Sequence, residues 1–192
     1  MSFRVLVIPE DPTNNGYILR PLVQAILADA GRSAARVHVL TNPRLRGYDE
    51  ALRAIRDDLP RRYGHFDLWL FFPDADRASE DSAAALEREL GARRLALLCC
   101  PAQPEVEVFA CAPFRREIRQ NWEAARRDPR FKQEVFEPLL RAHGDERRPG
   151  GGRDLMIERA IRNLPLLFQM CPELKDLRER IEQFLNHPEA GG

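Results

Sequence analysis

The sequence predicts an α/β protein, a mostly parallel four-stranded sheet flanked by helices and followed by a helical C-terminal extension. Three observations carry that reading. Two strand-like apolar runs, Arg4-Val-Leu-Val-Ile8 and Leu68-Trp-Leu-Phe-Phe72, fit strands buried on both faces. Strand and helix patterns alternate as far as Cys100, with connections long enough for crossover helices. Beyond Pro101 the strand signal stops and only helical spacing remains.

After the first strand, Asp11-Pro-Thr-Asn-Asn15 offers turn and capping chemistry. Ile18, Leu19, Leu22, Val23, Ile26 and Leu27 then recur at helical spacing until Gly31. Ala35 to Leu40 alternates apolar and polar residues, as a strand nearer the sheet edge does, and His38 inside it reads as a packed or half-exposed strand histidine. Tyr48 to Leu59 predicts a second helix ending at Pro60. The third strand, Leu68 to Phe72, precedes a helix over 79–90 that Ser79 or Asp81 can cap and Gly91 can end. Arg94 to Cys100 supplies the fourth strand. Helices are then expected over 105–112, 115–127, 131–143, 155–168 and 173–186. The glycine- and charge-rich stretch 144–152 lacks an apolar anchor and reads as a mobile loop, an idle linker or a flap near a polyanionic substrate. The expected division is an α/β domain over 1–112 with the extension, 113–192, packed on it.

With 44% hydrophobic and 31% charged residues, the chain of 192 can bury a substantial core. No apolar stretch approaches the roughly 18 residues that span a bilayer, and Met1-Ser-Phe-Arg4 leads into a strand without a signal-peptide pattern, so a cytoplasmic protein without a membrane partner is expected. Cys99, Cys100, Cys111 and Cys171 have the spacing of neither a zinc site nor a disulfide framework, and read as packing residues. Net charge is zero, which removes any global pull toward nucleic acid. Residues 115–162 nevertheless carry 13 Lys+Arg against 9 Asp+Glu. Only Lys132 and Lys175 are lysines, and the arginine excess fits phosphate recognition and a GC-rich genome equally well.

The chemistry lies in two acidic clusters at strand ends, Pro9-Glu10-Asp11 and Pro73-Asp74-Ala75-Asp76. In open α/β sheets ligands bind at that edge. Carboxylates gathered there repel one another unless a counter-charge intervenes, and a divalent cation supplies it. Mg2+, or Mn2+ in its place, takes oxygen ligands, one or two carboxylates at a time, and completes its shell with water and substrate phosphates. If the strand alternation continues past Phe72, Asp74 and Asp76 point the same way. Acids after strands are also ordinary loop and cap residues. Neither a Gly-rich phosphate loop nor a dinucleotide fingerprint is present, and Tyr17, Tyr48 and Tyr63 have no context for a covalent step.

Strand-Glu10, helix, strand, helix, strand-Asp74-x-Asp76, helix, strand resembles the TOPRIM domain of topoisomerases, bacterial primases and overcoming-lysogenization-defect nucleases, over roughly residues 3 to 112. Pro104-Glu-Val-Glu107 and Cys171-Pro172 resemble stretches of small standalone bacterial TOPRIM-like proteins. The resemblance implies that Glu10 acts as acid or base on a scissile phosphodiester and that Asp74 and Asp76 hold Mg2+, with Glu10 itself at the metal. It adds Glu105 or Glu107 as ligands of a second ion, although either is also an acid suited to a helix N-terminus. The family's glutamate is followed by glycine, whereas Glu10 is followed by Asp11-Pro12, which alters backbone access and makes Asp11 an extra candidate ligand.

The expected function is a divalent-metal-dependent nuclease or related phosphodiester-transfer enzyme acting on nucleic acid, in bacterial defence, and the resemblance implies work beside a separate ATPase subunit. Arg115, Arg116 and Arg119, followed by Arg126, Arg127, Arg130 and Lys132 with Trp122 between them, form a candidate surface for tracking phosphates and stacking a base. A solvated helix face is the competing reading of those arginines. The alternatives in function are a catalytically silent metal-binding partner of the ATPase and a phosphoacceptor receiver-like module. The second would use Glu10-Asp11 and Asp74 but lacks a lysine after its last strand.

Overall fold

The computed structural model describes residues 2–186; Met1 and the last six residues of the expected extension, 187–192, lie outside the described residues. The described residues form one parallel four-stranded sheet, ordered β2-β1-β3-β4, with β1 Arg4–Pro9, β2 Arg36–Val39, β3 Leu68–Phe72 and β4 Leu97–Cys99. Val5 through Ile8 and Leu68 through Phe72 are buried on both faces, as continuous apolar runs require in the two central strands. The alternating β2 lies at an edge.

One face of the sheet presents Val5, Val7, Leu68, Leu70 and Phe72 to α1 (Gly16–Asp29) and to the C-terminal helices, in a single continuous core. The other presents Leu6, Ile8, Trp69 and Phe71 to the helix starting at Tyr48 and to α4 (Glu80–Gly91). Each fully buried Leu or Ile contributes roughly 1.5–3 kcal/mol of transfer free energy. Ser79 caps α4 by accepting from the Ser82 N–H at 3.2 Å.

The expected stop at Pro60 does not occur. α2 (Tyr48–Arg53) passes through a π-helical turn, Ala54–Asp58, into α3 (Leu59–Tyr63). The widened turn shifts the hydrogen bonding just where the proline has no N–H to donate. The same device, Lys132–Phe136, precedes Pro138 and joins α7 (Glu137–His143).

The extension is more broken than its periodicity predicts. Only Val108–Cys111 of the expected 105–112 helix is α-helical (α5), followed by a 3-10 turn, Ala112–Phe114. Residues 115–120 form turns and bends, and α6 (Trp122–Ala125) starts afresh where the Asn121 side chain accepts from the Ala124 N–H at 2.8 Å. The 155–168 pattern divides into α8 (Arg153–Ile161) and α9 (Leu164–Met170), because Asn163 caps a new helix with Pro165 in its first turn. α8 packs on α1 and α5, and α10 (Pro172–Asn186) packs on α9, α1 and β4.

The stretch 144–152, expected to be a loop without an apolar anchor, is tied down by hydrogen bonds of its backbone. The Asp145 N–H donates to Gly151 O at 3.2 Å, and the Arg153 guanidinium donates to Gly150 O at 2.8 Å. Gly152, at φ +81°, lies so close to Asp145 that a Cβ would collide with its backbone nitrogen.

The outer edge of β4 is closed by side chains. The Cys99 N–H donates to Glu87 Oε1 at 2.6 Å, its carbonyl accepts from Arg180 at 3.1 Å, and Glu87 and Arg180 pair at 2.6 Å. This masks the backbone edge at which another strand would extend the sheet beyond β4.

Candidate functional site

The chain moves outward in opposite directions from β1 and β3, so the point where strand order reverses lies between them, at the carboxyl ends that carry Glu10 and Asp74. Pro9 is in register with Phe72, and Glu10 Oε2 accepts the Asp74 N–H at 3.0 Å. The two acids therefore share one rim, in contact.

A third segment joins them because parallel pairing continues past the strands. The Ala102 N–H donates to Pro73 O at 2.8 Å, Asp74 bridges Ala102, and the Ala75 N–H donates to Ala102 O at 3.0 Å and to Pro104 O at 3.2 Å. This places 102–107 beside Asp74. The Glu107 side chain is only 3% exposed and is held by Lys132 Nζ at 3.0 Å; the same ammonium lies 3.9 Å from Glu105 Oε2. Glu105 Oε1 is buried and has no hydrogen-bond partner among the described residues.

The cluster perturbs its own acids. Burial, then the charges of Glu10, Glu107 and Asp76, push the Asp74 carboxyl up to about 7, against an opposing pull from Lys132. Burial and then Glu107 push Glu105 up to about 8, with Lys132 again opposing and Asp74 and Asp76 adding to the rise. Burial works against the Lys132 ammonium, but the charge and hydrogen bond of Glu107, with Glu105 and Asp74, outweigh it and hold its pKa above the ordinary value. Proton loss at this rim thus calls for a compensating cation.

Asp76 departs from the expected geometry. Its carboxylate is largely exposed, 3.8 Å from Arg77, and acts on its neighbours through charge. Strand alternation does not reach it, because the chain turns after Asp74, whose carbonyl accepts from the Arg77 and Ala78 N–H groups. Among the described residues no three His, Cys, Asp or Glu side chains stand together as a ready-made metal cage. Glu10 instead meets the backbone N–H of Asp74, and Glu105 and Glu107 both face Lys132. An all-oxygen pair with one half-buried, proton-retaining member fits a hard cation of the Mg2+ or Mn2+ type, which needs only one or two carboxylates when water and substrate phosphate complete its shell.

The expected nucleic-acid surface is corrected in part. Trp122 is buried, and its indole N–H donates to Met170 O at 2.7 Å, so it serves the core and offers no stacking face. Arg126 is likewise buried, both Glu173 carboxylate oxygens lying 2.7 Å from its Nη2. Arg116, Arg119, Arg127 and Arg130 are exposed and Arg115 is half-buried, but 115–119 lies in turns and lacks helical spacing. His38 packs against the rings of Tyr63 and Phe66, far along the chain from any acid of the rim. The four cysteines are free and buried, and burial raises their thiols out of the reactive range.

Lys132 is the site residue that sequence reasoning placed elsewhere, in the phosphate-tracking stripe. Its signal was composition: a lysine in a chain whose other cations, Lys175 excepted, are all arginine. The chain matches no protein-family model, no curated protein and no solved structure. Among the described residues no helix is long and apolar enough to cross a membrane.

Proposed function

We propose that this protein is a TOPRIM-like, divalent-metal-dependent nuclease or related phosphodiester-transfer enzyme acting on nucleic acid, with a place in bacterial defence beside a separate ATPase. The observation that carries the reading is the contact between Glu10 and Asp74 at the reversal point of the sheet. Asp74, with Glu10 beside it, would hold a Mg2+ or Mn2+ ion. Bound there, such an ion neutralises phosphate oxygens and activates water. Glu10 commits Oε2 to the Asp74 N–H, which fixes its carboxylate and leaves Oε1 to hold or move a proton at the phosphodiester. Exposed Arg116, Arg119, Arg127 and Arg130 supply cations for the backbone of the substrate.

The test is incubation of the purified protein with plasmid DNA and with RNA, with and without Mg2+ or Mn2+, beside Glu10→Gln and Asp74→Asn. Cleavage that requires the cation and falls by roughly 100-fold or more in either variant supports the enzyme. Wild type and variants behaving alike would overturn it. Cation binding without cleavage would instead point to a silent metal-binding partner.

A second reading gains one observation. A receiver-like module needs a lysine near its acceptor aspartate, and Lys132 reaches the acids from the extension and interacts with Asp74 through its charge. A small phosphodonor that labels wild type but not Asp74→Asn would favour that module.

A further inference from the structure

We infer that Lys132 is a built-in counter-cation that fills the second cation position of the rim, leaving Glu10 and Asp74 as the place for a single exchangeable ion. The inference rests on the metal-binding reading of Glu10 and Asp74 only for the number of ions the wild-type protein takes.

The Lys132 ammonium stands 3.0 Å from Glu107 Oε1 and 3.9 Å from Glu105 Oε2, between two carboxylates that come from one short segment and have little solvent of their own. Glu107 is 3% exposed, so an ionised carboxylate there needs a partner within contact distance, and among the described residues Lys132 is the one it pairs with. Residue type matters. An ammonium is a compact charge that sits between two oxygens as a metal ion does, whereas a guanidinium presents a planar fork suited to one carboxylate. The chain uses arginine at 28 of its 30 basic positions and lysine here. The other lysine, Lys175, is an exposed partner of Glu179 one helical turn away, with no comparable setting.

Backbone geometry agrees. Lys132 opens a π-helical turn, Lys132–Phe136, and π turns frequently mark functional positions. That turn is pinned beneath by Val135 and Phe136, both buried in the core shared with α5, which directly follows Glu107. The lysine and its two acids are thus carried by elements locked to one another. Charge is matched as well: the Lys132 ammonium balances the nearly buried Glu107 carboxylate, and without it that carboxylate has no counter-charge beside it among the described residues, with Glu105 Oε1 already buried and unpartnered among them.

The test counts bound Mn2+ by calorimetry and by the electron paramagnetic resonance of free Mn2+, for wild type, Lys132→Met, Lys132→Arg and Glu107→Gln. Lys132→Met is expected to bind one ion more than wild type, Lys132→Arg the same number, and Glu107→Gln the same number, since Glu107 holds a lysine and no metal. Should Lys132→Met fold only with Mn2+ present, its melting temperature will rise with Mn2+ concentration more steeply than that of wild type, which supports the assignment equally. An unchanged count in Lys132→Met, or a count lowered by Glu107→Gln, overturns it. If wild type binds no ion and Lys132→Met binds one, the counter-cation role stands and the metal-dependent reading of Glu10 and Asp74 fails; the two are separated by the same titration.

Discussion

Replacing Asp74 by Asn is expected to stabilise the fold in metal-free buffer, by an amount that grows from about pH 4 to about pH 7 and is constant above that. The carboxyl is pushed up to about 7 from its ordinary 3.8, first by burial and then by Glu10, Glu107 and Asp76. At about 1.36 kcal/mol per pKa unit, roughly three units set a ceiling of about 4 kcal/mol, and coupling to Glu105 places the measurable effect at about 2–4 kcal/mol. The unfolded chain releases this proton near pH 4, whereas the folded chain keeps it until about 7. Between those limits the folded state binds more protons, so wild-type stability is fully present below the lower one and is lost as pH rises through the upper one. The amide introduced by Asp74→Asn does not titrate and escapes the loss. In a chain of this size each kcal/mol moves Tm by about 2–4 °C, so the variant should exceed wild type by roughly 5–10 °C near pH 8 and by much less near pH 5. Circular-dichroism melts of both proteins in EDTA across that range provide the measurement. Mn2+ should then close the gap from the wild-type side, since only wild type keeps both carboxylates of the pair. Parallel pH profiles for the two proteins would refute the burial and charge assigned to Asp74.

Two further predictions concern what holds the extension in place. Arg126→Met should cost about 3–5 kcal/mol in urea unfolding, because it strands the mostly buried Glu173 carboxylate without its partner; Arg126→Met with Glu173→Met should recover most of the loss. Gly152→Ala should lower Tm through its positive φ and the collision with Asp145, at a cost of about 1–3 kcal/mol, whereas Gly91→Ala, with nothing within 4 Å of the added Cβ, should be neutral or slightly stabilising. Equal melting temperatures for the two glycine variants would show that 144–152 is not folded as described.

The sequence predicted most where physical signals are local. Continuous apolar runs marked β1 and β3 as central strands, alternation marked β2 as an edge, and Ser79 with Gly91 bounded α4. It predicted least in the extension, where helical spacing persists across 115–127 and 155–168 although Asn121 and Asn163 restart the helices through hydrogen bonds that periodicity does not register. In the stretch 144–152 the anchors are backbone hydrogen bonds and glycines at positive φ, not the apolar side chains a sequence pattern registers.

The same division runs through the candidate site. Sequence by itself placed Glu10 and Asp74 at strand ends, because an acid after an apolar run is visible in one dimension, whereas Glu105 and Glu107 were named only through the resemblance. Only tertiary structure decided that β1 and β3 are neighbours, that Asp76 turns away into solvent, that Trp122 and Arg126 belong to the interior, and that Lys132 stands among the acids. Strand order and the return of a distant helix to the rim arise from burying whole faces of the sheet at once. That sum of many weak contacts has no local signature, yet it fixes which charges meet.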